Sequence, residues 1–254
     1  MRTELKEGLL KGMVTVLLLT SVFWAAGQAA VLVNEGDAKE QDGSLCVVID
    51  AGHGGIDPGK EGINGELEKD LNLQIAQKLR MFLEASDVRV VMTRTTDMGL
   101  YDENASNKKV QDMKQRIQII EEAQPDIVVS IHQNSYGEEY VKGAQVFYYK
   151  GSAQGKAAAE LIQSRLIEKL DPENHRSARA NDSYYLLKKT GRPIVIVECG
   201  FLSNREEAGK LSDDYYQEKL AWHIHMALMQ YLNGVRETAE AQETTGTGDN
   251  GVLS

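Results

Sequence analysis

Cysteine is almost missing from the 254-residue sequence: only Cys46 and Cys199 occur, far apart and each inside an apolar run. No disulfide framework is indicated. Positive charge is also in short supply, since 28 Lys and Arg against 38 Asp and Glu leave a formal net charge of -10. That balance disfavours nucleic acid as the partner. A third absence is local: from Gly12 to Asn34 there is no charged residue, and Val14, Leu17, Leu18, Leu19, Phe23 and Trp24 lie within that stretch. With Arg2, Lys6 and Lys11 ahead of it, residues 1–34 read as a signal peptide or a membrane anchor, long enough to cross a bilayer. A buried helix of the folded domain is the remaining alternative. Ala25, Ala26, Gly27, Ala29 and Ala30 offer cleavage positions. Cleaved or retained, such a segment sends the rest of the chain out of the cytoplasm, and if uncleaved it is the chain's membrane contact.

The length suits one main domain with extra segments. Residues 35–44 form a polar linker, and residues 235–254 carry Thr, Gly, Glu and Asp with little to bury, which predicts a disordered tail. The folded domain is then expected over residues 45–234. Within it, short apolar runs alternate with helical periodicity. Leu45 to Ile49, Val88 to Met92, Ile127 to Ile131, Ala144 to Tyr149 and Ile194 to Val197 suit buried strands. Leu67, Leu71, Ile75, Leu79 and Leu83 recur every four residues and predict an amphipathic helix. Further helices are expected over Met113–Ala123, Gly155–Leu170 and Tyr215–Leu232, and Asn204 with Glu207 resembles a capping box for a short one. The expected fold is α/β: a single domain with a mostly parallel twisted sheet flanked by helices on both faces.

In such sheets chemistry gathers beyond the C-terminal ends of the strands. Three polar clusters fall there: Asp50 to Gly55, Ser130 to Asn134, and Glu198 to Gly200. His53, Glu68 and His132 are candidate ligands for a zinc ion, which needs lone-pair donors from different elements and one open position. Each has a plainer reading: His53 as a turn residue or phosphate-loop neighbour, His132 as a core histidine, Glu68 as a first-turn acid complementing the helix dipole. Glu198, following Pro193-Ile-Val-Ile-Val, is either a proton-transfer group or the partner of Arg94, Arg116 or Arg192 in an ion pair.

The string Val48-Ile-Asp-Ala-Gly-His-Gly-Gly, then Glu68-Lys69-Asp70 with Asn72, Thr93-Arg94 with Asp97, Ser130-Ile-His-Gln-Asn134, Gly143 before Phe147-Tyr148, and Pro193 to Glu198 followed by Gly200-Phe-Leu-Ser-Asn204 together resemble the zinc-dependent N-acetylmuramoyl-L-alanine amidases of the amidase-3 type. The resemblance runs in order from Val47 to Leu232. It implies cleavage of the amide between N-acetylmuramic acid and the L-alanine of the stem peptide in peptidoglycan. It further implies Zn2+ on His53, Glu68 and His132, with Glu198 as the catalytic acid and base and Asp50 and Asn134 as orienting or substrate groups. Arg94 and Arg116 are left between substrate contact and a structural role. Cys199 is expected to point away from Glu198 into the core.

The polar segment Leu100 to Gln111 is longer than many relatives need, and Glu121 stands where they often carry Asn. The segment is either a lip beside the substrate, a partner surface, or ordinary loop variation. No long helix precedes the last strand to plug the site, and no wall-binding repeats are present. A small catalytic domain with a membrane-directed N-terminus resembles those members that form muramic lactam in spore cortex, with a vegetative wall amidase as the alternative. A peptidoglycan carboxypeptidase and an inactive wall-binding module are the more distant readings. The need for an accessory protein is left open.

Overall fold

The computed structural model describes residues 45–246, so the signal or anchor segment, the linker before Leu45 and residues 247–254 lie outside the described residues. Six strands form one sheet: β1 (Cys46–Ala51), β2 (Arg89–Met92), β3 (Ile127–Asn134), β4 (Gln145–Tyr149), β5 (Arg179–Asn181) and β6 (Ile194–Phe201), in spatial order β2-β1-β3-β6-β4-β5. The helices are α1 (Glu68–Glu84), α2 (Lys108–Ala123), α3 (Ala153–Lys169), α4 (Tyr185–Lys189), α5 (Arg205–Ser212) and α6 (Asp214–Gly246).

The central strands β1, β3 and β6 are parallel to their neighbours in the order β2-β1-β3-β6, as apolar runs buried on both faces require. Strand β4 runs antiparallel to β6. The chain between β3 and β4 forms no helix, and without a crossover of that kind β4 returns in the opposite direction. Alternation along each strand divides the core. Val47, Ile49, Val129, Ile131, Val195 and Val197 pack with α1, α3 and α6, whereas Val48, Val128, Ile194 and Ile196 pack with α2 and α4. Each of these side chains contributes roughly 1.5–3 kcal/mol by leaving water. Cys199 is 1% exposed and lies in the larger cluster, on the face opposite its neighbour Glu198.

Several boundaries differ from expectation. Strand β6 runs on to Phe201, because residues 198–201 remain paired with β3 beyond the apolar run. Helix α2 starts at Lys108, where the Asn107 side chain accepts from the Val110 N–H at 3.1 Å, so the last third of the polar Leu100–Gln111 segment is helical. The three-residue β5 and the single turn of α4 were too short to leave a periodic signal. The capping box is half formed: Asn204 accepts from the Glu207 N–H at 3.0 Å, but the Glu207 carboxylate accepts instead from Phe201 and Gly143, at 2.8 and 2.9 Å. Helix α6 continues past residue 234, where the folded domain was expected to end, and ends at Gly246. Elongating a helix already nucleated by packing costs little, and the Glu, Ala and Gln residues of that stretch favour it.

Candidate active site

His53 follows β1 in a loop of backbone carbonyls held by two buried arginines. Arg94 donates from Nε to the Ala51 carbonyl at 2.9 Å and from Nη2 to the Gly52 carbonyl at 3.0 Å. Arg116 donates to the carbonyls of Ala51 at 2.8 Å and His53 at 2.6 Å. Both arginines hold the loop, and neither forms an ion pair with Glu198 among the described residues. His53 itself sits in the left-handed region with φ 61°. That conformation costs on the order of 1 kcal/mol for a residue with a Cβ, and the arginine clamp maintains it.

Arg116 is 1% exposed and forms an ion pair with Asp50 at 2.6 Å, while Asp50 also accepts from Thr93 Oγ1 at 2.8 Å and Ser130 Oγ at 2.5 Å. Burial works against charge on Asp50, but the Arg116 guanidinium and the Ser130 hydroxyl hold its carboxyl down at about 2. Since its unfolded-state value lies near 3.9, the group contributes about 2 kcal/mol of stability above pH ~4, and loses it as pH falls toward 2. Denaturant unfolding between pH 5 and pH 2 should therefore show a steeper loss for the natural chain than for Asp50→Asn. Equal slopes in the two proteins would exclude this assignment.

Glu68 opens α1 and turns back over the strand ends. Its Oε1 lies 3.2 Å from His53 Nε2 and 3.1 Å from His132 Nδ1, and Oε2 accepts from the Lys60 N–H at 2.8 Å. The three side chains each offer one donor atom, all within 4.8 Å of one another, a cluster able to hold a metal ion. Ligand atoms around a tetrahedral ion at 2.0–2.2 Å are separated by about 3.3 Å, which the two histidine–Glu68 separations match, the remaining pair lying within 4.8 Å. Two glycines make room: a Cβ on Gly52 would collide with the His132 ring, and one on Gly59 with Glu68 and the His53 ring. His53 Nδ1 faces Asp57 Oδ2 at 3.1 Å, which leaves Nε2 turned toward Glu68. Burial opposes charge on Glu68, yet hydrogen bonds from His132 and His53 hold its carboxyl far below the usual range. On His132, burial favours the neutral ring, but Glu68 and then Glu198 raise its pKa. Protons and a metal would compete for these lone pairs.

Glu198 stands directly across from His132 in the β3–β6 register, so the two side chains share the α2/α4 face of the sheet. It is 7% exposed. Its Oε1 accepts from the Tyr184 hydroxyl at 3.4 Å, and its buried Oε2 has no hydrogen-bond partner among the described residues. Burial pushes the Glu198 carboxyl upward, partly offset by His132. Such a group is suited to exchanging a proton. Above it opens a cavity of about 400 Å3 that reaches from His53, His132 and Glu198 to Met113, Tyr101 and Leu186.

Asn134, expected as an orienting or substrate group, accepts from the Ser135 N–H at 2.8 Å, next to the bulge that ends β3. Asp50 acts through Arg116 and touches no member of the cluster. Three contributors escaped the sequence reading. Asp57 orients His53, and the signal available was an acid four residues after a histidine in a glycine-rich loop. Tyr101 accepts from the Ile56 N–H at 2.9 Å and walls the cavity, so the polar segment before α2 braces the His53 loop. Tyr184 had no local signal. Asp97 and Lys69 complete the brace: Lys69 Nζ lies 2.6 Å from Asp97 and donates to the Gly55 carbonyl at 3.0 Å.

A mostly parallel α/β sheet with a His-Glu-His cluster and a buried carboxylate at its strand ends defines the framework of a hydrolase. The family model described as N-acetylmuramoyl-L-alanine amidase matches residues 47–230. The chain is 34% identical over 189 residues to the germination-specific N-acetylmuramoyl-L-alanine amidase of Bacillus subtilis, covering 73% of this chain and 79% of that one. The CwlD amidase of Clostridioides difficile, solved in complex with the GerS lipoprotein, superposes with a TM-score of 0.73 at 39% identity, over 75% of this chain and 99% of that one. The amidase LytC of Bacillus subtilis is 32% identical over 188 residues, which span 73% of this chain and 35% of LytC. The chain belongs to the N-acetylmuramoyl-L-alanine amidase family and is an enzyme of that activity.

Proposed function

We propose that this amidase is zinc-dependent, with His53, Glu68 and His132 as the ligands and Glu198 as the acid and base, and that it acts on peptidoglycan outside the cytoplasmic membrane. The observation that carries the reading is the pairing of His132 with Glu198 across two strands, which sets an unpartnered carboxylate oxygen beside the three donors. When bound, the metal supplies Lewis acidity that lowers the pKa of a water and offsets negative charge on the scissile carbonyl oxygen. Glu198 takes a proton from the attacking water as the new C–O bond forms. It then returns that proton to the amide nitrogen as the C–N bond breaks, leaving a lactyl carboxylate and the free amine of L-alanine. The Arg94 and Arg116 clamp holds His53 in place throughout.

The likeness to the germination-specific amidase supports the reading of a role in muramic-lactam formation in spore cortex. The likeness to CwlD, solved with a lipoprotein, supports an accessory lipoprotein as partner. Export rests on the basic and apolar N-terminal sequence, which serves as signal or anchor.

Peptidoglycan digestion analysed by mass, with metal content measured on the same sample, tests the assignment. Intact stem peptides with a free L-alanine amine should be released, release should stop on chelation, and stoichiometric zinc should restore it. Because the ligands must shed protons, zinc affinity should rise steeply with pH through the histidine range. Full release by chelated protein would overturn the metal role, and terminal amino-acid release would indicate a carboxypeptidase.

A further inference from the structure

Glu198 has two oxygens in different surroundings. Oε1 meets the Tyr184 hydroxyl at 3.4 Å, while Oε2 is buried and has no hydrogen-bond partner among the described residues. A separation of 3.4 Å is long for an O–H···O bond, as catalytic hydrogen bonds often are before substrate closes a site. Tyr184 is not free to wander. Its backbone N–H donates to Asn181 Oδ1 at 2.9 Å, its ring packs edge-on against Phe147 with centroids 5.4 Å apart, and α4 begins at the next residue. Phe147 belongs to the core cluster on this face of the sheet. The hydroxyl is thus aimed from a rigid support, at the wall of the cavity that also exposes His132 and Glu198.

We infer that Tyr184 is the positioning residue for Glu198: its hydroxyl holds Oε1 and so fixes the orientation of the carboxyl group at the cavity wall for proton transfer. The inference rests on the reading of Glu198 as the acid and base. A carboxylate with two equivalent free oxygens can rotate about its terminal torsion, which is broad and has no staggered wells to hold it. One donor fixed to the protein removes that freedom and favours the charged form that must accept the proton. Burial, with the Glu198 carboxylate facing it, raises the Tyr184 phenol to about 12, so the hydroxyl remains a donor across the working range of pH.

The test uses the full chain in detergent, loaded with zinc, on soluble glycan chains bearing stem peptides. Tyr184→Phe removes one oxygen and keeps the ring packing. It should lower kcat about tenfold or more with KM within twofold, and move the acid limb of the kcat/KM profile to higher pH, zinc content unchanged. A second readout needs neither metal nor turnover. With 3-fluorotyrosine at position 184 of the metal-free protein, the fluorine resonance should show a pH inflection from the neighbouring carboxyl that vanishes in Glu198→Gln. An unchanged kcat and acid limb in Tyr184→Phe would overturn the inference, as would a fluorine titration indifferent to Glu198→Gln. Activity surviving in Glu198→Gln would instead remove the base itself, an outcome distinguishable because the fluorine experiment does not depend on turnover.

Discussion

Glu198→Gln should abolish most of the amidase activity while leaving the zinc complement and the fold intact. The substitution is nearly isosteric, and the position makes no ion pair that would be broken. Among the described residues its one side-chain hydrogen bond comes from the Tyr184 hydroxyl, and an amide oxygen can still accept it. What is lost is the ability to take up a proton and deliver it to the leaving amine, a contribution typically worth 10²- to 10⁴-fold in rate. The loss should fall on kcat, since the amide keeps the shape of the cavity wall. The measurement is stem-peptide release from peptidoglycan, with zinc determined on the same protein. Unchanged release would end the proton-transfer assignment, and loss of zinc in parallel with activity would mean that Glu198 instead supports the metal cluster.

Arg116→Ala should be among the most destabilising single substitutions in the domain. The guanidinium pairs with Asp50 and Asp112 at 2.6 and 2.7 Å and donates to the carbonyls of Ala51 and His53. Its removal leaves the Asp50 carboxylate, 0% exposed, without its countercharge. Breaking a buried pair in this way costs about 3–5 kcal/mol, a large share of the 5–15 kcal/mol that holds an ordinary domain together. Denaturant midpoints measure the loss. The pair variant Asp50→Leu with Arg116→Met should recover much of the stability, because no uncompensated charge then remains. It should not recover activity, since the His53 carbonyl stays unclamped. A loss below about 1 kcal/mol in Arg116→Ala would show that the network is dispensable.

These two residues illustrate different routes from sequence to site. Glu198 could be singled out in advance because a carboxylate closing a run of five apolar and proline residues has no solvent to enter and must be paired or used. Arg116 lies in a polar helix whose charges look like an ordinary solvated face, and only packing against β1 turns one of them inward. Glu68 is a sharper case. By local pattern it is a first-turn acid, and what makes it more is the return of α1 across the ends of β1 and β3.

The strands, the helices with repeating apolar positions and the placement of polar clusters at strand ends were determined by the sequence itself. Periodicity and burial are local properties, carried by neighbouring residues along the chain. The reversal of β4, the extension of α6 to Gly246, and the partners of Arg94, Arg116, Asp57 and Tyr184 were decided only by the tertiary structure. Each depends on contacts between segments that are distant in the chain, or on a helix propagating from a packed core. Polar side chains carry no periodic mark of the partner they will meet, so the identity of that partner emerges once the sheet order has brought the segments together.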